Sequence, residues 1–360
     1  MSHYPFRIGI DLAALAPQKS GYGFYVENIL AELRALEEES GVHIMGIDRV
    51  TTQLSGQKQL LWDQLGLPLT ALIRGVDMLF QPAFSVPRFP KPVVVTAHDV
   101  YGLRYPDNFS GADKRYWAQV LPQSLRRADH IICISEFTKQ ELMTHLDISE
   151  DRMSVIYPAA GKAYRMIDDS EAIAARIRRL GVRAPFIVSV GTTESRKNYE
   201  TLIQAFAFSK RGNHQLVIAG KKGDKFAKLS EMVRKYHLED AVKFVDYIGD
   251  EDLVALYNAC SFFVMPSVYE GFGLSALEAM QSGAAVIVSQ NTALPEVVGD
   301  AGILFDPHDA DDLRKRLDLL FDDIDLRREL QQKSVAQAAR FSWKKAGEQT
   351  MAILQRAKSQ

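Results

Sequence analysis

Short apolar runs recur along the whole chain, each closed by a turn residue and followed by a segment of helical spacing. Phe6-Arg-Ile-Gly-Ile10 is the first, and Asp11 ends it. Runs at 42–45, 78–80, 93–96, 130–134 and 155–157 follow. Runs this short and this apolar read as strands buried on both faces, as in parallel sheets. After the first run, Val26, Ile29, Leu30, Leu33 and Leu36 share one helical face. Strand, glycine loop and helix make half of a βαβ unit, so the pattern predicts an α/β fold.

The rhythm breaks at 158–184, where Pro158, Gly161, Asp168, Asp169 and Gly181 surround one short helix at 171–180. That composition suits a linker, and Arg176, Arg178, Arg179 and Arg183 read as a solvated face. A second sheet opens at Phe186-Ile-Val-Ser-Val190 and continues with runs at 215–220, 241–245, 262–264, 284–289 and 302–305. The predicted domains are 1–165 and 166–340; 360 residues are enough for two cores.

Bulk properties exclude several classes. A net charge of −2 gives no sign of a nucleic-acid binder. No apolar run approaches the ~20 residues that cross a bilayer, and Met1-Ser-His-Tyr-Pro5 leads straight into a strand, so a cytoplasmic protein is expected. Cys133 and Cys260 lie in or beside apolar runs and read as buried, reduced thiols. The histidines lack zinc-ligand spacing, and no metal site is expected.

The chemistry concentrates in Pro266–Met280. A strand ends, Gly271 and Gly273 follow, and a helix begins that carries Leu274, Leu277 and Met280. Glycines admit close backbone approach, and a new helix offers amide hydrogens to a phosphate. Glu270 and Glu278 bracket the turn and can accept hydrogen bonds from sugar or ribose hydroxyls. Arg196 and Lys197, after the Gly191 turn, precede a helix N-terminus, where the dipole disfavours positive charge. A local anion would account for them; a solvated pair is the alternative. Lys221 follows the next strand and suits a phosphate, a base or a solvated turn equally.

In the first half, Gly21 and Gly23 mark either a tight turn or an open, ligand-facing loop. His98 and Asp99 end a buried strand, where open α/β sheets bind ligands; a cap at Asp99 with His98 packed against it is the alternative. Ser135 reads as an N-cap for the helix 137–146, and 112–127 as one helix ending in Arg126 and Arg127.

Glu270 and Glu278, with seven residues between them inside Glu-Gly-Phe-Gly-Leu, resemble the signature of the retaining glycosyltransferases of group 1. The resemblance runs from about residue 6 to 350, with Ser275 where many relatives carry proline. It implies the glycosyltransferase B fold: two Rossmann-like domains facing across a cleft, with the last helix, 341–360, returning to the first domain and Trp343 as a packing anchor. It implies a metal-independent hexosyltransferase that needs no cofactor beyond its nucleotide-sugar co-substrate.

The resemblance also distributes roles. Arg196 and Lys197 would hold the leaving diphosphate. Glu270 would bind the donor sugar and Glu278 the ribose. His98 would lie near the donor sugar, and Gly21, Gly23 and Ser135 would face the cleft. Gly191, Lys221, Tyr247, Gly271, Phe272, Gly273 and Leu274 complete the implied donor set, with Tyr247 beside the base. Ser-Gly-Tyr-Gly at 20–23, His98-Asp99 and Leu-Pro-Glu-Val at 294–297 resemble transferases of bacterial surface polysaccharides, several of which use GDP-mannose. A saccharide or lipid-linked saccharide acceptor, with peripheral membrane contact, is implied. A UDP-glucose-type donor, a nucleotide-sugar epimerase and a non-catalytic sugar-nucleotide sensor are the competing readings.

Overall fold

The computed structural model describes residues 6–15, 21–48, 60–82 and 86–358. The chain forms two compact units: one runs to Pro158 and resumes at Ser342, and the other is Ala159–Phe341.

The first unit holds β1 (Arg7–Asp11), β2 (His43–Ile47), β3 (Met78–Gln81), β4 (Val93–Ala97), β5 (His130–Cys133) and β6 (Met153–Val155). Their order is β2-β1-β3-β4-β5-β6, parallel throughout. β3 and β4 are buried along their whole length, which explains their unbroken apolar sequence. β6 begins two residues before its apolar run, and Ile156 N still reaches the Cys133 carbonyl at 2.9 Å. Helix Gly21–Ala35 buries Tyr25, Val26, Ile29, Leu30 and Leu33. Helix Trp343–Ala357 packs on it: a Cβ on Gly347 would lie 2.5 Å from Glu32 Cβ, and Trp343 meets Phe24 and Tyr25 edge to face.

Two helical stretches carry a π-turn for one shared reason, and one of them departs from the sequence reading. The expected 112–127 helix is three segments, Gly111–Arg115, a π-turn at Tyr116–Val120, and Leu121–Arg127. A second π-turn, Trp62–Gly66, precedes helix Leu67–Ile73. Each π-turn runs into Leu-Pro, at Pro122 and Pro68. Proline lacks an N–H, and its ring pushes away the carbonyl four residues back, so the preceding turn widens. Ser20 and residues 50–59 lie outside the described residues.

The second unit holds β7 (Phe186–Val190), β8 (Gln215–Ala219), β9 (Val242–Val245), β10 (Phe263–Met265), β11 (Val286–Ser289) and β12 (Gly302–Phe305). The parallel order is β12-β11-β10-β7-β8-β9. The chain therefore reverses its direction of travel across the sheet between β7 and β10. The carboxyl edge at such a switch point is where open sheets seat their ligands.

The domain boundaries need correction. Residues 159–165 belong to the second unit, because Gln281 Nε2 donates to the Gly161 and Tyr164 carbonyls at 3.0 and 2.5 Å. The Tyr164 hydroxyl also donates to Asp250 at 3.3 Å. Phe341 likewise stays with the second unit, its ring edge to face with Phe272 at 5.7 Å.

Candidate functional site

The loops leaving β7 and β10 meet at the switch point of the second sheet. After β7 the chain turns at Gly191, where φ is +149° and a Cβ would press to 2.8 Å from Lys197 Cε. Glycine here lets the lysine stem fold over the turn. Residues Ser195–Lys197 form one 3-10 turn, ended by Asn198 in the left-handed conformation. The Asn198 amide donates to the Pro266 and Pro307 carbonyls at 3.0 and 2.8 Å, and Val268 N donates to the Arg196 carbonyl at 2.8 Å. One side chain thus stitches the cation turn to the loop after β10 and to the loop after β12.

The stitching brings the predicted charges together. Lys197 Nζ lies 2.7 Å from Glu270 Oε1, and Arg196 Nη1 lies 3.1 Å from Glu270 Oε2. Arg196 also meets Glu194 at 3.3 Å. Lys197 and Glu270 are buried. Burial alone would raise the Glu270 carboxyl; Lys197 and Arg196 outweigh it and hold the group at about 2. Burial lowers Lys197 despite its partner. Glu270 thus serves as counter-ion to the two cations expected to hold a diphosphate.

The turn into helix Leu274–Gln281 passes through Gly273 at φ +111°, where a Cβ would meet Leu294 Cδ2 at 2.5 Å. Phe272 is buried against Phe341, so its ring is a packing element, and only its backbone is left to serve a ligand. Leu274 opens the helix and Gly271 precedes the turn, both half-buried.

Glu278 has a different environment. It is buried, accepts from the Tyr257 hydroxyl at 3.3 Å, and is pushed up by that burial to about 8, with Asp250 adding to the rise. Two carboxylates eight positions apart are thus driven in opposite directions, one ionised and one protonated at neutral pH. The expectation treated both as charged acceptors; burial away from the cations is what separates Glu278.

Lys221 and Tyr247 leave the neighbouring strands β8 and β9. Lys221 Nζ lies 5.5 Å from the centre of the Tyr247 ring, which is 54% exposed. Thr193 N donates to the Lys221 carbonyl at 3.1 Å, tying this loop to the Gly191 turn. Three Asp-x-Asp triplets occur in this unit, at 250–252, 309–311 and 323–325; Asp309 and Asp323 cap helices, and Asp252 pairs with Arg176 and Arg179.

The first unit carries the remaining predicted residues. His98 is buried between Tyr22 and Tyr25, each ring centre 4.7 Å away, and its Nε2 donates to the Pro82 carbonyl at 2.8 Å. Burial lowers its pKa to about 4, so it is neutral near pH 7. Asp99 accepts from Tyr101 N at 3.1 Å, the predicted turn cap, and from the Tyr22 hydroxyl at 3.3 Å.

Gly21 and Gly23 correct an expectation. The helix begins at Gly21, so both lie in its first turn, and neither has a positive φ. Burial of Tyr25 and Val26 draws the helix back over the glycines. Ser135 is the cap the sequence indicated: its Oγ accepts from Thr138 N at 2.9 Å.

Sequence reasoning gave no role to Asn198, Asp11 or Gln81. The last two meet at the first sheet's switch point, with Gln81 Nε2 donating to Asp11 at 3.3 Å. A carboxylate at the end of the first parallel strand was the available signal. Among the described residues no cluster of His, Cys, Asp or Glu is placed to hold a metal, and no helix is long and apolar enough to cross a membrane.

Comparison with known proteins agrees with this architecture. Residues 172–337 match the family described as glycosyl transferases group 1, and residues 64–160 match glycosyltransferase family 4. The chain is 32% identical over 273 residues to the O-antigen chain mannosyltransferase B of Escherichia coli, covering 75% of this chain and 72% of that protein. It is 35% identical over 262 residues to the serotype-specific mannosyltransferase WbdA of Escherichia coli, covering 71% of this chain but only 32% of WbdA. The chain thus spans about a third of WbdA's length. The sucrose-phosphate synthase structure from Thermosynechococcus elongatus superposes with a TM-score of 0.78 at 21% identity, covering 98% of each chain. The two parallel six-stranded sheets define the glycosyltransferase B fold. The chain belongs to the group 1 glycosyltransferases.

Proposed function

We propose that this chain transfers a mannosyl residue from GDP-mannose to a hydroxyl of a saccharide or lipid-linked saccharide, with retention at the anomeric carbon and without a metal ion. The observation that carries the reading is the meeting of Arg196, Lys197 and Glu270 at the switch point of the second sheet. The mannosyltransferase relatives support the choice of sugar.

The second unit holds the donor and the first the acceptor. The bond from the anomeric carbon to the β-phosphate oxygen breaks, and negative charge grows on the departing diphosphate. Arg196 and Lys197 stabilise that charge, which is the role a divalent cation fills elsewhere. The acceptor oxygen attacks from the face the phosphate leaves, and its proton passes to the departing phosphate oxygen. Glu270 gives up its contacts with the cations in part and turns to the mannose hydroxyls. Glu278 accepts from the ribose diol, and Tyr247 with Lys221 borders the base. His98, held neutral, orients the donor sugar by hydrogen bonding. The protein works in the cytoplasm, in peripheral contact with the membrane that carries its acceptor.

The test is to incubate the protein with GDP-mannose or UDP-glucose and a lipid-linked saccharide acceptor in chelator. An α-mannoside product from GDP-mannose, read by NMR, is expected. A β-linked product, a chelator-abolished reaction, transfer from UDP-glucose alone, or epimerised donor without acceptor would overturn the respective part.

A further inference from the structure

The helical stretch 60–73 turns the wrong face outward for a soluble surface. Leu61, Leu65, Leu69, Leu72 and Ile73 are between 44% and 78% exposed, while Asp63, the only acidic residue of the stretch, is buried with Leu67, Pro68 and Ala71. Single exposed leucines are ordinary; five on one helical face make a contiguous patch that needs an occupant.

Cations border the patch. Gln64 Nε2 and Arg127 Nη2 both donate to the Val86 carbonyl, each at 3.1 Å, so the guanidinium sits beside the helix. Arg127 and Arg88 line an open hollow of about 580 Å³ walled by Pro87 and Phe89. The Asp129 carboxylate in that hollow is engaged with Val93 N at 2.7 Å.

We propose that the outward face of stretch 60–73 and the Arg88–Arg127 hollow form one docking surface for an anionic lipid bilayer. The stripe enters the acyl boundary and the guanidiniums take headgroup phosphates. The chemistry favours lipid over protein. Five leucine and isoleucine side chains offer no hydrogen bond and no aromatic anchor of the kind that dominates protein interfaces. A second copy would bring another Arg88–Arg127 pair to a stripe that presents no carboxylate in return. The inference deepens the reading of a membrane-borne acceptor and rests on it.

Co-sedimentation with phosphatidylcholine vesicles, with and without phosphatidylglycerol, tests it without donor or acceptor. Binding to the anionic vesicles that weakens with salt is expected. Leu65→Ser/Leu69→Ser should lower affinity about tenfold or more, and Arg88→Gln about fivefold. Both variants change exposed side chains, and an unchanged melting temperature confirms that they fold. Absence of binding by the wild type, or wild-type affinity in both variants, would overturn the proposal. So would a dimer that dissociates in the leucine variant, since a second copy would then be the occupant. Transfer to a detergent-solubilised acceptor is measured separately. Loss of transfer with vesicle binding intact counts against the function and not against the surface.

Discussion

Glu270→Gln separates the two roles that the site gives this carboxylate. The substitution keeps the shape and removes the charge facing Lys197 at 2.7 Å and Arg196 at 3.1 Å. The carboxyl sits near 2 against an ordinary 4.5, even though burial alone would raise it. At about 1.4 kcal/mol per pH unit, the site favours the ionised group by about 3 kcal/mol. A diphosphate seeking the same cations competes with part of that energy. With glutamine in place, a buried ammonium loses its counter-charge, and the free protein should lose about 3 kcal/mol, a fall of roughly 5–10 °C in Tm. GDP should bind about tenfold tighter, because it now neutralises Lys197 without competition from Glu270, beside an Arg196 that keeps only Glu194. Sugar transfer should fall about 10- to 100-fold as a charged contact to the donor sugar disappears. Calorimetry with GDP and initial-rate assays read the two effects separately. GDP affinity equal to or weaker than that of the wild type would refute the competition.

The other expectations concern protons and a hinge of hydrogen bonds. Glu278 is raised to about 8 by burial, so its contribution to stability is complete below about 4.5, the unfolded value, and is lost as pH rises through 8. Relative to Glu278→Gln, wild type should lose stability between pH 5 and 8; GDP binding at pH 7 should release close to one proton, and calorimetry showing no release would remove Glu278 from the ribose. His98, lowered to about 4 by burial, contributes stability above its unfolded value of 6.5 that is lost as pH falls through 4. An imidazole titrating near 6.5 by NMR would contradict its burial. Asn198→Gly keeps the left-handed backbone and loses the bonds to Pro266 and Pro307, costing about 1–3 kcal/mol in urea unfolding. Asn198→Ala should cost roughly 1 kcal/mol more, and equal losses would refute the backbone argument.

The inner strands were legible because they are buried on both faces, so that Phe186–Val190 and Val93–Ala97 announce themselves without alternation. The charges were legible as residue types at strand ends, where Lys197 and Glu270 indeed meet. Their mutual arrangement was not. Neutralisation of Lys197 by Glu270 depends on Asn198 joining loops 68 and 109 positions apart, and no local pattern records such a bond. The divergence of Glu270 from Glu278 has the same origin, since burial beside Tyr257 and beside Lys197 are tertiary facts. Gly21 and Gly23 misled because glycine reads as loop, whereas the buried face of Tyr25 and Val26 carried the helix through them. The domain junction slipped because Gln281 claims residues 161–164 from across the second unit.

The most direct test is a crystal structure with bound GDP-mannose. The account predicts β-phosphate oxygens within about 3 Å of Lys197 Nζ and the Arg196 guanidinium, ribose hydroxyls at Glu278, and Glu270 drawn toward the sugar. A diphosphate seated elsewhere, with the 2.7 Å contact between Lys197 and Glu270 unchanged, would contradict it.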